Sequence, residues 1–348
     1  MKKLLFVLSA ALFIASCSDD EIAQPYLPSG DNIDCSSPRF MTTHGNKVYA
    51  SYQSGEVVRI DTTTLKFEAA VKVGRSPEQL CVSEGKLYVA NSGGADYPNY
   101  DNTVSVVNIS DFVEDCKITV VDNPSNILAS NEGALYLVSY GNYADIPAAL
   151  QKINPSTNDV ANLAPVNMSE MCYADGLLYG ILSEYDASWN QTISYKLYNT
   201  QTGELEPSWI TDGTPVPNPY KLCIVGDNIA LTDAPYAANG DVYLFTKAGK
   251  KAASFPAGLY PAKVVKAGKY IYVLNSGVMG QNNASLTCYD TESGAVVQNY
   301  FKTVNNYAIG DTANDIIVYG QKMYITVTGD NIIWVTDLNA RVLAKLEP

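Results

Sequence analysis

Short runs in which Val, Leu, Ile and Tyr alternate with polar residues follow one another down the chain, separated by Gly, Pro, Asn, Asp and Thr. Around residue 100 they fall at 79–82, 86–91, 103–109 and 117–121. Period-two alternation predicts half-buried strands, and no window predicts an amphipathic helix. One signal recurs ahead of these runs: a glycine, two or three residues, then a tyrosine. It reads Gly45 to Tyr49, Gly85 to Tyr88, Gly133 to Tyr136, Gly176 to Tyr179, Gly268 to Tyr272 and Gly320 to Tyr324, with Ala230 in the tyrosine position after Gly226. Seven copies spaced 39 to 52 residues apart, each holding four strand-like runs, predict an all-β fold: a seven-bladed β-propeller with four-stranded antiparallel blades over residues 35–348. The third run often ends in a polar turn, as after Arg59, Lys152, Leu197 and Cys288, where Asp, Asn, Thr and Gly suit hairpins. The first blade opens at Pro38 and the last ends near Pro348, so each blade is complete by itself or a segment before Cys35 closes the ring.

Three of the runs, Tyr88-Val-Ala-Asn91, Tyr272-Val-Leu-Asn275 and Tyr324-Ile-Thr-Val327, are degenerate copies of one signature, and Val73-Gly-Arg-Ser-Pro77 matches the approach to a blade's first strand. In these the chain resembles the YVTN-type propellers over roughly residues 36–348. The resemblance implies architecture and says little about activity, because propellers host enzymes, scaffolds and binders alike.

The first residues read as a targeting signal, 1–16. Lys2 and Lys3 precede an apolar stretch from Leu4 to Ile14 that is too short to span a bilayer. Ile14-Ala15-Ser16-Cys17 resembles the bacterial lipobox, which implies lipidation at Cys17. Ser18, Asp19, Asp20 and Glu21 resemble the signal that sends Bacteroidota lipoproteins to the outer face of the outer membrane, and 17–34 reads as an acidic, flexible tether. Removing the leader leaves 21 basic against 36 acidic residues, which excludes nucleic acid and an anionic lipid surface as partners. Cys81, Cys172 and Cys223 share one repeat position and read as small core residues; no cysteine spacing resembles a zinc site.

The candidate chemistry lies where the blades turn towards the axis. First strands line a propeller channel, and aligning their starts places Phe40, Gln79, Asn126, Glu170, Lys221, Lys263 and Asp315 at one position, facing opposite to the core residue that follows each. The loops between second and third strands should emerge on the same rim. Five of them are long, with Tyr or Trp beside Asn, Asp, Ser and Gly, the composition of antibody paratopes. Tyr97, Tyr100, Tyr140, Tyr143, Tyr185, Trp189 and Tyr236 are therefore candidate ligand-binding residues, together with the six polar residues of the collar: Gln79, Asn126, Glu170, Lys221, Lys263 and Asp315. Ion pairs between Glu170 and Lys221, and between Lys263 and Asp315, are the alternative role for that collar.

Nucleophile–base catalysis is poorly supported: His44 is the single histidine, in a turn ahead of a strand, and there is no Gly-x-Ser-x-Gly elbow. No cofactor is called for. The enzymatic alternative is a metal-dependent hydrolase similar to the gluconolactonase family, with Glu170, Asn126 and Asp315 as oxygen ligands, against which Lys221 and Lys263 would repel a cation. The lipobox, acidic cluster, degenerate repeats and amide-rich aromatic rim together resemble the BtuG-type cobalamin-capture lipoproteins. That resemblance implies a surface protein that takes vitamin B12 on one propeller face and passes it to a TonB-dependent transporter. A glycan or other nutrient, or a protein-interaction scaffold, are the remaining readings.

Overall fold

Each sequence repeat folds into one four-stranded antiparallel sheet whose strands pair in chain order. A computed structural model describes residues 34–164, 168–186, 188 and 190–348; the leader, Cys17, the tether as far as residue 33, and Trp189 lie outside the described residues. The seven sheets span 38–72, 77–119, 124–164, 168–206, 219–259, 261–297 and 313–346, here blades 1 to 7. Every first strand lies against the first strand of the next blade, and that of blade 7 lies against that of blade 1, so the sheets close a ring around a central axis. The molecule is a seven-bladed β-propeller.

The ring closes blade to blade. Asn331 accepts from the Ser37 amide at 2.8 Å and donates to the Cys35 carbonyl at 3.2 Å, while Thr328 and Thr326 hydroxyls donate to the Pro38 and Arg39 carbonyls, both at 2.7 Å. Among the described residues no strand is exchanged between blades 1 and 7.

The repeated tyrosine is buried in all six blades that carry it. In three of them its hydroxyl crosses to the next blade and donates to a carbonyl of the turn between third and fourth strands: Tyr88 to Pro155 at 3.2 Å, Tyr179 to Lys247 at 3.2 Å and Tyr272 to Leu338 at 2.8 Å. The asparagine that ends the Tyr-Val-x-Asn runs is a second fastener. Asn91 accepts from the Gly74 amide of the preceding blade at 3.1 Å and donates to Thr103 and Ser105 at 3.0 and 2.9 Å. Asn275 repeats the arrangement with Gly258, Ser285 and Thr287. Glycine is required at position 74 because a Cβ there would lie 2.4 Å from Asn91 Cγ.

Strand bounds depart modestly from the alternation. In blade 2 the strands are Pro77–Ser83, Lys86–Asn91, Thr103–Asn108 and Val113–Thr119, so the fourth begins four residues earlier than read, its outer edge being polar. His44 is the exposed last residue of Pro38–His44 rather than a turn residue. One short helix, Tyr300–Asn305, follows the two-residue final strand of blade 6, bounded by Asn299 and Asn306 in left-handed conformation (φ 54° and 65°). Fewer than two turns leave no readable amphipathic period; Phe301 anchors it against Trp334, ring centroids 5.7 Å apart.

Candidate functional site: the collar and the loop face

Each first strand starts with an irregularity. The pairing register slips within two or three residues of the opening Pro, Met or Ala in all seven blades, as between Pro261 and Lys263 or Ala313 and Asp315. Bulges re-aim side chains. Here the residue two beyond the opening Pro, Met or Ala turns to the axis, and Phe40, Gln79, Asn126, Glu170, Lys221, Lys263 and Asp315 all line one axial cavity of about 920 Å³. The next residues along, from Met41 to Ile316, are buried in the blades.

The collar's charges are largely engaged with one another. Lys221 is ion-paired with Glu170 Oε1, and Glu170 Oε2 accepts from Asn126 at 3.3 Å. Burial by itself pulls the Lys221 ammonium down, but the adjacent Glu170 carboxylate outweighs it and holds the group well above its ordinary value. Asp315 accepts from the Met41 amide of blade 1 at 2.8 Å and from its neighbour Ile316 at 3.0 Å; Lys263 Nζ stands 3.7 Å away. Burial raises Asp315 despite that lysine, and Asp315 in turn raises Lys263. Two of the three oxygen donors suggested for a metal, Glu170 and Asp315, are thus spent on protein partners, and no cluster of three His, Cys, Asp or Glu among the described residues is arranged to hold an ion.

The loops between second and third strands share the rim on which the first strands begin. In blades 1, 2, 3, 5, 6 and 7 the residue after the second strand donates its amide to the carbonyl just before the first strand, as Ser92 to Ser76 (3.2 Å), Tyr140 to Asn123 (3.0 Å) and Ser276 to Tyr260 (2.9 Å). Tyr97, Tyr143 and Tyr236 stand out from this face with 61, 63 and 91% of their surface exposed, joined by Met279 at 79%. Their loops are braced. Asn142 Oδ1 accepts from the amides of Ala144, Asp145 and Ile146, and Tyr143 itself holds a left-handed φ of 56°. Arg75 ties the Tyr97 loop through Asp96 at 3.0 Å and the Asn99 carbonyl at 2.7 Å.

The aromatic candidates divide into three groups. Tyr100 and Tyr143, from neighbouring blades, meet edge to face with centroids 5.9 Å apart. Tyr140 is a brace, half-buried with its hydroxyl donating to the Ser169 carbonyl at 2.9 Å, and burial pushes its pKa up to about 12. Tyr97 and Tyr236 project into solvent. Tyr185 ends Leu177–Tyr185, with its side chain outside what is described, as is Trp189. Rim and collar meet at a cleft of about 320 Å³ between blades 3, 4 and 5, lined by Tyr140, Glu170, Lys221, Tyr220, Ser183 and Gln191. Tyr220 and Met279 were not singled out by the sequence reading; Tyr220 follows an aligned proline, and Met279 lies inside a long polar loop where it breaks the composition.

None of the six described cysteines is in a disulfide. Cys81, Cys172 and Cys223 are buried between blades, and Cys172 and Cys223 also reach the axial cavity. Among the described residues no helix is long and apolar enough to cross a membrane.

No protein-family model matches this chain, and no curated protein matches it either. Solved structures do. A computationally designed protein, Ika8, superposes with a TM-score of 0.56 at 10% identity, over 89% of this chain and 86% of its own. Dihydro-heme d1 dehydrogenase NirN, in complex with DHE, gives 0.56 at 14% identity, over 90% of this chain and 66% of its own length. At such identities the likeness is one of fold alone.

Proposed function

We propose that this chain is a lipid-anchored surface protein that captures a bulky small molecule on its loop face, cobalamin first among candidates, and passes it to a TonB-dependent transporter. The observation that carries the reading is the set of large side chains left in water on one face. Tyr97, Tyr143, Tyr236 and Met279 are exposed there on braced loops, whereas the repeat tyrosines are buried. Exposed aromatics held rigid lose little rotamer freedom on binding and bury a large contact area. The cleft by Tyr140, Tyr220 and Lys221 offers hydroxyl and ammonium donors to an amide-fringed guest. Such a guest is placed across the mouth, where the exposed side chains stand. Anchoring through Cys17 supplies the membrane attachment.

The test is titration with cyanocobalamin. Capture predicts co-elution of a red chromophore and a melting temperature that rises with ligand concentration. Tyr143→Ala combined with Tyr236→Ala should weaken binding about tenfold or more while leaving the fold intact. Absence of chromophore and of stabilisation at micromolar ligand removes cobalamin; failure with a panel of glycans and nutrients as well removes small-molecule capture and leaves a protein scaffold.

A further inference from the structure

The collar leaves one cation short of partners. Both Glu170 oxygens are occupied, by Lys221 and Asn126, and Asp315 receives two backbone amides. Lys263 carries three donors, yet its one partner among the described residues is Asp315 at 3.7 Å, beyond hydrogen-bonding distance, and its side chain keeps 35% of its surface open to the channel. An ammonium in such a site is served by water until a better acceptor arrives, and a carboxylate forms shorter, charge-assisted hydrogen bonds with it.

The wall beneath the collar has a different character. Counting two residues on from each collar position stays on the axial side of the strand. Six of those positions, Thr42, Leu128, Cys172, Cys223, Val265 and Ile317, line the same cavity of about 920 Å³, with Asp175, Lys247 and Lys266 at its lining beyond them. Burial raises both thiols above their ordinary values, so this lower ring is uncharged. A charged collar thus sits on one ring of side chains that is apolar except for Thr42, in a volume suited to a drug-sized molecule.

We propose that the axial channel is a second binding site, for an amphipathic carboxylate whose acid group sits on Lys263 and whose aliphatic or aromatic body fills the throat below. The collar also selects for charge. Glu170 and Asp315 flank Lys221 and Lys263, so the four groups sum to zero; a monoanion is admitted where a phosphate dianion meets two carboxylates. The site is separate from the loop face: it uses the axis rather than the exposed tyrosines, so failure of cobalamin capture leaves it standing.

The experiment is calorimetric titration of the full-length protein with butyrate, hexanoate, octanoate and decanoate, and with octanol and inorganic phosphate as controls. Affinity should rise about tenfold for every two added methylenes, with octanol and phosphate failing to bind. Lys263→Met should weaken octanoate by about thirtyfold, and Lys263→Arg should restore most of it. Val265→Trp, which leaves every charged group in place and fills the throat, should abolish the dependence on tail length; melting temperatures verify that each variant is folded. The proposal is overturned if no carboxylate binds at millimolar concentration, if folded Lys263→Met binds octanoate unchanged, if phosphate matches octanoate, or if Val265→Trp keeps the tail dependence.

Discussion

The asparagine fastener between blades 1 and 2 makes a quantitative prediction. Asn91 is fully buried and joins the Gly74 amide of one blade to two hydroxyls of its own. Asn91→Ala strands the buried Gly74 N–H and leaves Thr103 and Ser105 without this partner, a cost of about 3 kcal/mol. Gly74→Ala attacks the same place from the other side, because the new Cβ would lie 2.4 Å from Asn91 Cγ. The asparagine must then leave, and the backbones must part a little because Asn91 Cβ would also lie 2.6 Å from the new methyl; the cost is about 4 kcal/mol. Gly74 does not occupy the left-handed region, so alanine is opposed there by the side chain alone. In the double variant the side-chain amide is gone but the Cβ at position 91 stays, so a close approach worth about 1 kcal/mol remains. The pair should therefore cost about 4 kcal/mol rather than about 7, a coupling at the upper end of what contacting residues show. For roughly 300 residues each kcal/mol is worth about 1.5 °C, so Asn91→Ala should melt about 5 °C below wild type, and Gly74→Ala and the double variant about 6 °C below. Urea titrations with a common slope give the free energies. If the double variant equals the sum of the singles within about 0.5 kcal/mol, the fastener does not work as described.

Tyr272→Phe removes the hydroxyl that reaches Leu338 in blade 7 and should cost about 1 kcal/mol by urea unfolding. Tyr236→Ala should change stability by less than about 0.5 kcal/mol, its ring being 91% exposed, so a large loss would mean that the loop needs the ring to fold. Asp290 is held down to about 2 by Lys269 first, and then by the amides of Glu292 and Ser293. A depressed folded value stabilises above the unfolded value of about 4 and is lost as pH falls through the folded one. The stability gap between wild type and Asp290→Asn should therefore be full at neutral pH and close between about pH 4 and pH 2; a gap that persists at pH 2 contradicts this assignment.

Architecture was legible because it is periodic. Six glycine–tyrosine signals and the Gly226–Ala230 variant marked seven sheets, and the aligned strand starts gave the collar residue by residue, since a backbone slip recurs at the start of every blade. Ring closure was left open in the sequence because it rests on single contacts such as Asn331 with Ser37, which leave no repeat. The helix at Tyr300–Asn305 escaped for want of length. Within the rim, composition marked loops that share one face but did not separate tips from braces. Tyr140 and Tyr143 lie three residues apart in one loop, yet one is tied to Ser169 and the other stands in solvent. That difference comes from Asn142 folding the loop back on itself, a conformational matter that counting aromatics does not reach.

The same contacts explain why this fold tolerates such varied loops. Blade-to-blade cohesion is concentrated in the buried tyrosines, whose hydroxyls reach the turns between third and fourth strands, and in ring closure around the first strands. The loops between second and third strands brace themselves locally, through Asn142 or Arg75. A substitution at the Tyr236 tip consequently costs no more than one at an exposed site, whereas at Tyr143 it also gives up the ring contact with Tyr100 of the neighbouring blade. Binding specificity on that face can change while the ring holds. The collar has no such freedom, because Asp315 serves both the axis and the blade 7 to blade 1 joint through Met41.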